Sequence, residues 1–367
     1  MIKQTKAGAY PLNAVAAYSR EQWYVAGTSA EFGREILARR ILDEPLVFFR
    51  TEAGEPVALW GLCPHRLMPF ALGTLRGDDL VCGYHGFAFA TNGACVSIPT
   101  AEGISSACRV KSYPLVERGP WVWIWMGEGA PDHGLLPDAG DIGLGAPSLE
   151  WRVDITRPFA LGARAQLLID NLLDLSHLAF VHANSTAGGE IALIPPEVRE
   201  QGPRLQVVRT VPDGPGNALV QWLMPEAGDR SWVELVTDFY NPGLINAGGP
   251  WVWRSNPDGT RGPEVGRMNF VHAITPETPN STHYFGVLTR NFRLNDETLT
   301  QRLIAQNDLV RSEDVIVLEA IEKVADRHGD PAREISVKTD MGGLLVRKKL
   351  KRMIDGETGE SRIGEAA

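Results

Sequence analysis

Apolar and polar positions alternate in short runs along the first third of the chain. The segments WYVAGT, PLVFFRT, PVALWGL, LVCGYHGFAFA, CVSIPT and PWVWIWMGE, all between residues 23 and 130, are rich in β-branched and aromatic residues and are separated by Gly, Asp and Pro. That is the pattern of strands joined by tight turns. In the last segment Trp121, Trp123 and Trp125 alternate with Val122, Ile124 and Met126, which predicts a strand covered on both faces. Residues 1–130 are therefore expected to form a small all-β domain with an N-terminal extension. Residues 131–147 lie in the Pro/Gly/Asp-rich stretch GAPDHGLLPDAGDIGLGAP, which has no period and predicts a linker. Beyond it the pattern mixes classes. RAQLLIDNLLDLSHLAFVH reads as helix; LQVVRTV, ALVQWLM, SWVELVTDFY, MNFVHAIT and THYFGVLTRNF read as antiparallel strands; ETLTQRLIAQNDLVRSEDVIVLEAIEKVADR reads as a long helix. Strands flanked by helices without βαβ alternation predict an α+β domain over 148–355, followed by a flexible tail at 356–367.

Composition narrows the partners. A chain of 367 residues exceeds what one hydrophobic core usually serves, in keeping with two domains. A formal net charge of −9 disfavours nucleic acid and anionic membranes, which call for a basic surface. The basic run Arg347 to Arg352 follows Leu344 and Leu345 in a pattern that predicts an amphipathic helix with a solvated charged face. The first twenty residues lack an apolar signal core, and no run of eighteen apolar residues occurs, so a soluble, cytoplasmic protein is expected. Four cysteines are too few for a disulfide framework, and reduced thiols are available to a metal. Cys95 and Cys108 have no histidine at ligand spacing and read as small core residues.

The other two cysteines stand in CPHRLMPFALGTLRGDDLVCGYHG, as Cys63-Pro64-His65 and Cys82-Gly83-Tyr84-His85, with sixteen residues between His65 and Cys82. Structural zinc is the plainest reading of two thiols and two imidazoles. Zinc modules, however, space their cysteines as C-x2-4-C with the histidines elsewhere, whereas here each loop supplies one Cys and one His. A Rieske [2Fe-2S] centre, in which two thiolates hold one iron and two imidazoles the other, needs that mixed pairing. The motif is similar to Rieske proteins, and that resemblance implies Cys63 and Cys82 on one iron, His65 and His85 on the other.

A cluster of this kind only moves electrons, so chemistry is expected in the second domain. DNLLDLSHLAFVHAN places Asn171, Asp174 and His177 three apart on one helix face. On a regular helix His182 would lie about 140° around from His177, so the two imidazoles can share a metal only if the helix ends or bulges, for instance by a π-type turn near residues 179–181. A carboxylate would complete a facial triad for non-haem Fe(II). Glu313 and Asp314 in RSEDVIVLEAIEK are the candidates, and composition alone does not choose between them.

D-x2-H-x4-H downstream of a Rieske signature resembles the Rieske non-haem iron oxygenases over roughly residues 20–355. The tail ED-x-x-V-x-E-A is similar to the monooxygenase branch that includes vanillate O-demethylase and dicamba monooxygenase oxygenase components. The resemblance implies a Rieske domain followed by a helix-grip catalytic domain, and Asp314 as the ligand beside His177 and His182. It further implies Asn171 hydrogen-bonding near the iron, Asp174 linking His85 of one chain to His177 of the next in a homotrimer, and Asn246 and His272 facing substrate. The segment departs from the family's CPHRGAPL at Leu67-Met68-Pro69-Phe70. No glycine-rich dinucleotide fingerprint is present, so NAD(P)H is expected to act only through a separate reductase or ferredoxin. The implied activity is O-demethylation of a methoxylated aromatic acid to a phenol and formaldehyde. Ring hydroxylation or dioxygenation of an aromatic carboxylate is the alternative, and a non-catalytic electron-transfer or zinc protein the second.

Overall fold

The β-rich pattern of the first 130 residues resolves into three small antiparallel sheets in the computed structural model, which describes residues 18–144, 150–186, 189–202, 204–215, 218–328 and 334–358. Contacts divide the chain into two units, one of Arg20–His133 with Thr275–Thr278 and one of the remaining residues. In the first, Trp121–Trp125 runs between Trp23–Thr28 and Leu115–Arg118, and every one of its five residues is buried. Two-sided burial is what its unbroken apolar run demands. Leu37–Ile41, Glu44–Arg50 and Pro56–Trp60 form a second sheet, and Thr74–Arg76, Asp79–Val81, Ala88–Phe89 and Cys95–Ser97 a third. LVCGYHGFAFA is therefore two short strands around a turn, not one strand. The core of this unit packs Val47, Phe49, Leu59, Phe70, Leu80 and Phe89 around Cys63 and Cys82. Cys95 and Cys108 touch that core but are only half-buried, and the Cys95 N–H donates to the Cys108 carbonyl beside the isolated bridge of Ala94 with Arg109.

The second unit is built on one long antiparallel sheet. Its spatial order is Arg152–Ile155, Ser281–Arg290, Arg261–Thr278, Leu244–Ser255, Arg230–Asn241, Arg204–Pro215 and Glu197–Gln201, with Phe159–Leu161 also paired to Ser281–Arg290. Among the described residues five helices accompany it: α1 (Ala165–Leu173), α2 (Gly189–Ala192), α3 (Ala218–Leu223), α4 (Glu297–His328) and α5 (Met341–Thr358). Leu168, Ile169 and Leu172 of α1, Leu318 of α4 and Val346 and Leu350 of α5 share one core with Leu205, Val207, Phe239, Ile245 and Ile274 of the sheet. The expected α+β, helix-on-sheet architecture is what forms.

Several local expectations are corrected. ALVQWLM is helical over Ala218–Leu223, because Val220, Leu223 and Met224 recur at three- and four-residue spacing and all bury on one side; so short an apolar run fits either period. The 131–147 stretch is not a bare linker. Short 3-10 turns at His133–Leu135 and Gly140–Ile142 bury Leu136, Ala139 and Ile142, while 145–147 lie outside the described residues. Helix α5 continues through Thr358, so 356–358 of the expected tail are helical, while 359–367 lie outside the described residues. The basic run is not wholly solvated, since the Arg347 side chain is 9% exposed and pairs with Asp170 at 2.6 Å. Among the described residues no helix is long and apolar enough to cross a membrane.

Candidate metal centres

The two Cys/His loops are built as twins. The Cys63 N–H donates to the Met68 carbonyl at 2.9 Å while the Leu67 N–H donates back to the Cys63 carbonyl at 2.9 Å; the Cys82 N–H donates to Phe87 at 2.8 Å while Gly86 donates to Cys82 at 3.0 Å. Each turn closes through a left-handed residue four positions after its cysteine, Gly86 at φ +69° and Leu67 at φ +58°. Glycine takes that conformation freely, whereas leucine does so at a cost. The loops also approach closely: a Cβ on Gly83 would lie 2.4 Å from the Leu72 carbonyl oxygen.

This construction sorts the four side chains by type. Both cysteines are buried, and burial together with the neighbouring Cys82 thiol pushes the Cys63 thiol up to about 11. Paired thiols in such a place become thiolates only with a cation between them. The imidazoles sit outside, exposed, with His65 and His85 ring centroids 4.7 Å apart and His65 stacked on Phe87. A tetrahedral zinc would draw all four donors to one point; thiol beside thiol and imidazole beside imidazole suits a two-iron cluster.

The second constellation arises where a helix stops. Helix α1 ends at Leu173 because Asp174 turns extended (φ −114°, ψ 95°), and Asp174 then caps the 3-10 turn Leu175–Ala179 by accepting from the Ser176 N–H at 2.9 Å. The helix break is thus at Asp174. A second irregularity does fall at Phe180, but it is the end of a 3-10 turn and not a π-turn. The Phe180 and Val181 N–H groups both fold back onto the His177 carbonyl, and the chain's reversal there carries His182 round to the side His177 occupies.

His177, His182 and Asp314 converge, with their ligand atoms all within 4.8 Å of one another. The hydrogen bonds say which nitrogen points inward. His177 Nδ1 lies 2.6 Å from the Asp174 carbonyl, and a carbonyl only accepts, so Nδ1 carries the proton and Nε2 turns its lone pair toward Asp314 Oδ1 at 3.6 Å. His182 Nδ1 meets the Glu313 carboxylate at 2.7 Å, leaving Nε2 3.1 Å from Asp314 Oδ1. Burial lowers the pKa of His177; for His182 burial is outweighed by Asp314 and Glu313, which raise it. Lone pairs of two imidazoles facing one carboxylate oxygen repel unless a proton on His182 Nε2 or a metal cation in its place lies among them. Asn171 Nδ2 donates to Asp314 Oδ1 at 3.2 Å, and its own Oδ1 is buried without a partner, an acceptor of the sort a hydrated metal ion satisfies. Two histidines and one carboxylate are the donor set of non-haem iron, with three positions left open. The residues fit that metal.

Composition alone did not separate the roles of the acidic pair, and only the family resemblance pointed to Asp314. Asp314 faces the imidazoles while Glu313 stands behind His182, where Ser185 Oγ donates to it. Nor did it find Arg209, fully buried, whose Nη2 reaches Asp174 Oδ1 at 3.3 Å. Nothing in the local pattern marks an arginine inside a strand as a partner for a carboxylate on another element. The triad forms one wall of an apolar cavity of about 120 Å³, lined by side chains such as Leu175, Val220, Val233, Met268 and Phe270. His272 lines the cavity; Asn246 does not, being fully buried and bonded to Asn269.

Comparison with known proteins agrees with this geometry. Residues 22–114 match the Rieske [2Fe-2S] domain, and residues 161–356 match the vanillate O-demethylase oxygenase C-terminal domain. The chain is 32% identical to the toluene-4-sulfonate monooxygenase system iron-sulfur subunit of Comamonas testosteroni over 93% of this chain and 99% of that protein. It is 32% identical to the dicamba O-demethylase oxygenase component of Stenotrophomonas maltophilia over 83% of this chain and 88% of that one. Among solved structures it is similar to dicamba monooxygenase bound to 3,6-dichlorosalicylic acid, with a TM-score of 0.80 at 28% identity, covering 94% and 99% of the two chains. The chain therefore belongs to the Rieske oxygenases whose catalytic half is the vanillate O-demethylase oxygenase C-terminal domain.

Proposed function

We propose that this oxygenase component oxidises the methyl C–H of a methoxylated aromatic substrate, so that the resulting hemiacetal collapses to a phenol and formaldehyde. Two electrons, two protons and one O2 are consumed, one oxygen atom entering the substrate and the other leaving as water. As a Rieske monooxygenase component it uses a [2Fe-2S] cluster, a mononuclear iron and electrons from a separate reductase or ferredoxin. The iron, when bound, supplies O2 activation; the protein supplies its position and the dry cavity beside it.

One observation carries the reading: two inward-facing imidazole lone pairs and one carboxylate meet at the wall of an apolar chamber. In this reading His177, His182 and Asp314 hold the iron, Asn171 steadies Asp314, and Cys63, Cys82, His65 and His85 hold the cluster. A homotrimer in the cytoplasm belongs to it too, with Asp174 passing electrons from His85 of one chain to His177 of the next. In support, the Asp174 carboxylate is 23% exposed yet fixed from within by Ser176 and Arg209. The test is stoichiometry with a surrogate reductase and a panel of methoxylated aromatics. Formaldehyde and phenol should form one for one with O2 uptake; a diol or ring-hydroxylated product would transfer the assignment to ring hydroxylation. Iron analysis should give about three irons per chain and negligible zinc.

A further inference from the structure

Cys95 and Cys108, the two cysteines outside the cluster motif, stand opposite each other. Ala94 and Arg109 form an isolated antiparallel bridge, so the next pair along is Cys95 with Cys108, closed by the Cys95 N–H donating to the Cys108 carbonyl at 3.1 Å. Residues opposite each other in such a pair send their side chains to the same face, with Cα atoms about 5.5 Å apart at a hydrogen-bonded position. That separation falls inside the roughly 4.4–6.8 Å that a disulfide spans. Both thiols are half-buried against the core that surrounds Cys63 and Cys82. Burial, and then the Cys108 thiol beside it, push the Cys95 thiol up to about 11. At neutral pH such a thiol is a slow nucleophile, and the pair stays reduced until a strong oxidant reaches it.

The chain between the two thiols is a loop whose residues 99–107 are all exposed. Its backbone bonds are local, the Ala101 N–H donating to the Ile98 carbonyl and the Cys108 N–H to the Ser105 carbonyl. It nevertheless rests on the second cluster turn. A Cβ on Gly86, the left-handed residue directly after His85, would lie 3.1 Å from Pro99 Cγ. Cys95 and Cys108 therefore form the neck of a loop that leans on the turn carrying a cluster ligand.

We propose that Cys95 and Cys108 are a reversible modification site, closed by hydrogen peroxide to a disulfide that clamps the 95–108 loop against the turn of His85. One thiol loses its proton and its sulfur attacks a peroxide oxygen; the O–O bond breaks, water leaves and a sulfenic acid forms. The second thiol attacks that sulfur, the S–O bond breaks and a second water leaves. The two sulfurs give up two electrons in all, and the peroxide is reduced to two waters. Peroxide is the product of O2 with two electrons and two protons when no substrate takes the oxygen, so the site would answer to the protein's own idle turnover. None of the four cluster ligands takes part. Tying the neck removes freedom from the segment that rests on the cluster turn, so the cluster becomes harder to strip.

Peptide mapping of the holoprotein tests it. The protein with its cluster intact is treated with hydrogen peroxide or with diamide, a two-electron thiol oxidant, then alkylated in denaturant and cut with trypsin and a glutamate-specific protease. Glu102 lies between the two cysteines and no Lys or Arg does, so the disulfide joins Gly77–Glu102, with Cys82 alkylated, to Gly103–Arg109. The joined peptide should appear in more than half of the chains, vanish with dithiothreitol, and be absent from Cys95→Ser and Cys108→Ser. The oxidised protein should also release its cluster iron to a chelator at least threefold more slowly than the reduced protein. Alkylated Cys95 and Cys108 after both oxidants, or a link through Cys63 or Cys82, overturns the proposal. A link with diamide alone removes peroxide as the oxidant, and a link that leaves iron release unchanged removes the clamp. If a serine variant does not fold, the wild-type map alone decides.

Discussion

Replacing Glu313 tests how the iron site is held, because this residue should touch the metal only through His182. The His182 ring has 0% exposed side-chain surface, and its Nδ1–H is accepted by Glu313 at 2.7 Å, a charge-assisted contact. Such a partner fixes the tautomer, aims Nε2 and raises its basicity, and losing it typically weakens metal binding about 10- to 100-fold. Glu313→Gln keeps an acceptor and removes the charge, so about tenfold is expected, or ~1.4 kcal/mol. Glu313→Ala removes both, so the loss should approach about 100-fold. Anaerobic competition for Fe(II) against a chelator reads this directly, and cluster content is the internal control because its four ligands lie in the other unit. The proton dependence has a definite sign. Asp314 and Glu313 raise the pKa of His182, so without metal the ring keeps its proton to higher pH than a free imidazole. Iron must displace that proton, and its affinity should fall about tenfold per pH unit below the raised pKa. Removing Glu313 should move the onset of that fall to lower pH. If Glu313→Ala binds Fe(II) within twofold of wild type, Glu313 does not support the metal.

Leu67→Gly should stabilise the protein by roughly 0.5–1 kcal/mol, since it relieves a left-handed leucine costing about 1–2 kcal/mol and returns part of that as unfolded-chain entropy; a loss in chemical denaturation would show that the exposed leucine packs after all. Glu322 is depressed below the usual carboxylate range because the Arg164 bonds outweigh its burial. Its stabilisation is therefore complete above the unfolded carboxyl range and lost as pH falls through the lower folded value, and Glu322→Gln, which removes the charge facing a mostly buried arginine, should cost about 3 kcal/mol at neutral pH and flatten the acid limb of the pH–stability curve. Asp174→Asn should retain cluster and iron yet lose turnover; turnover near wild type would remove Asp174 from the electron route.

Long elements were legible in the sequence, and the chemistry was legible wherever ligands sit close together in the chain. Helix α4 was read within a residue of its observed ends, and Trp121–Trp125 followed from unbroken alternation. Failures occurred where the period was short or the partner distant. Six residues at Ala218–Leu223 cannot distinguish two periods. Arg347 resembled a solvated charge because Asp170, its partner, lies on another helix. Asn246 was assigned to the pocket from strand context, but the strand bulges there, with Gly248 at φ +76°, and alternation breaks down; Ala247 and Gly248 line the cavity while Asn246 turns to Asn269. On α4 the inward stripe runs Leu299, Leu303, Asn307, Arg311, Asp314, Leu318, Glu322, all buried. A hydrophobicity pattern scores its middle as polar and outward, so the turns that build the site are the ones it hides.

The spacing D-x2-H-x4-H has a physical explanation here that a regular helix does not provide. Asp174 leaves α1, and its carbonyl, at the cap of the next turn, is positioned to accept the Nδ1 proton of a histidine three residues on. Its carboxylate caps the next turn through Ser176 and is gripped by Arg209. One residue therefore stops α1, starts the 3-10 turn and orients His177 by its backbone, while its side chain stays partly exposed. The four residues between the histidines are what the reversal at His177 requires before His182 can return to the same side, and Glu313 fixes that ring from behind because no local carbonyl takes its proton. The two imidazoles are thus aimed by unlike devices, a neutral carbonyl and a charged carboxylate. His182 should accordingly be the more basic ligand, and Glu313 the substitution to which iron affinity responds more steeply than to any change at Ser176.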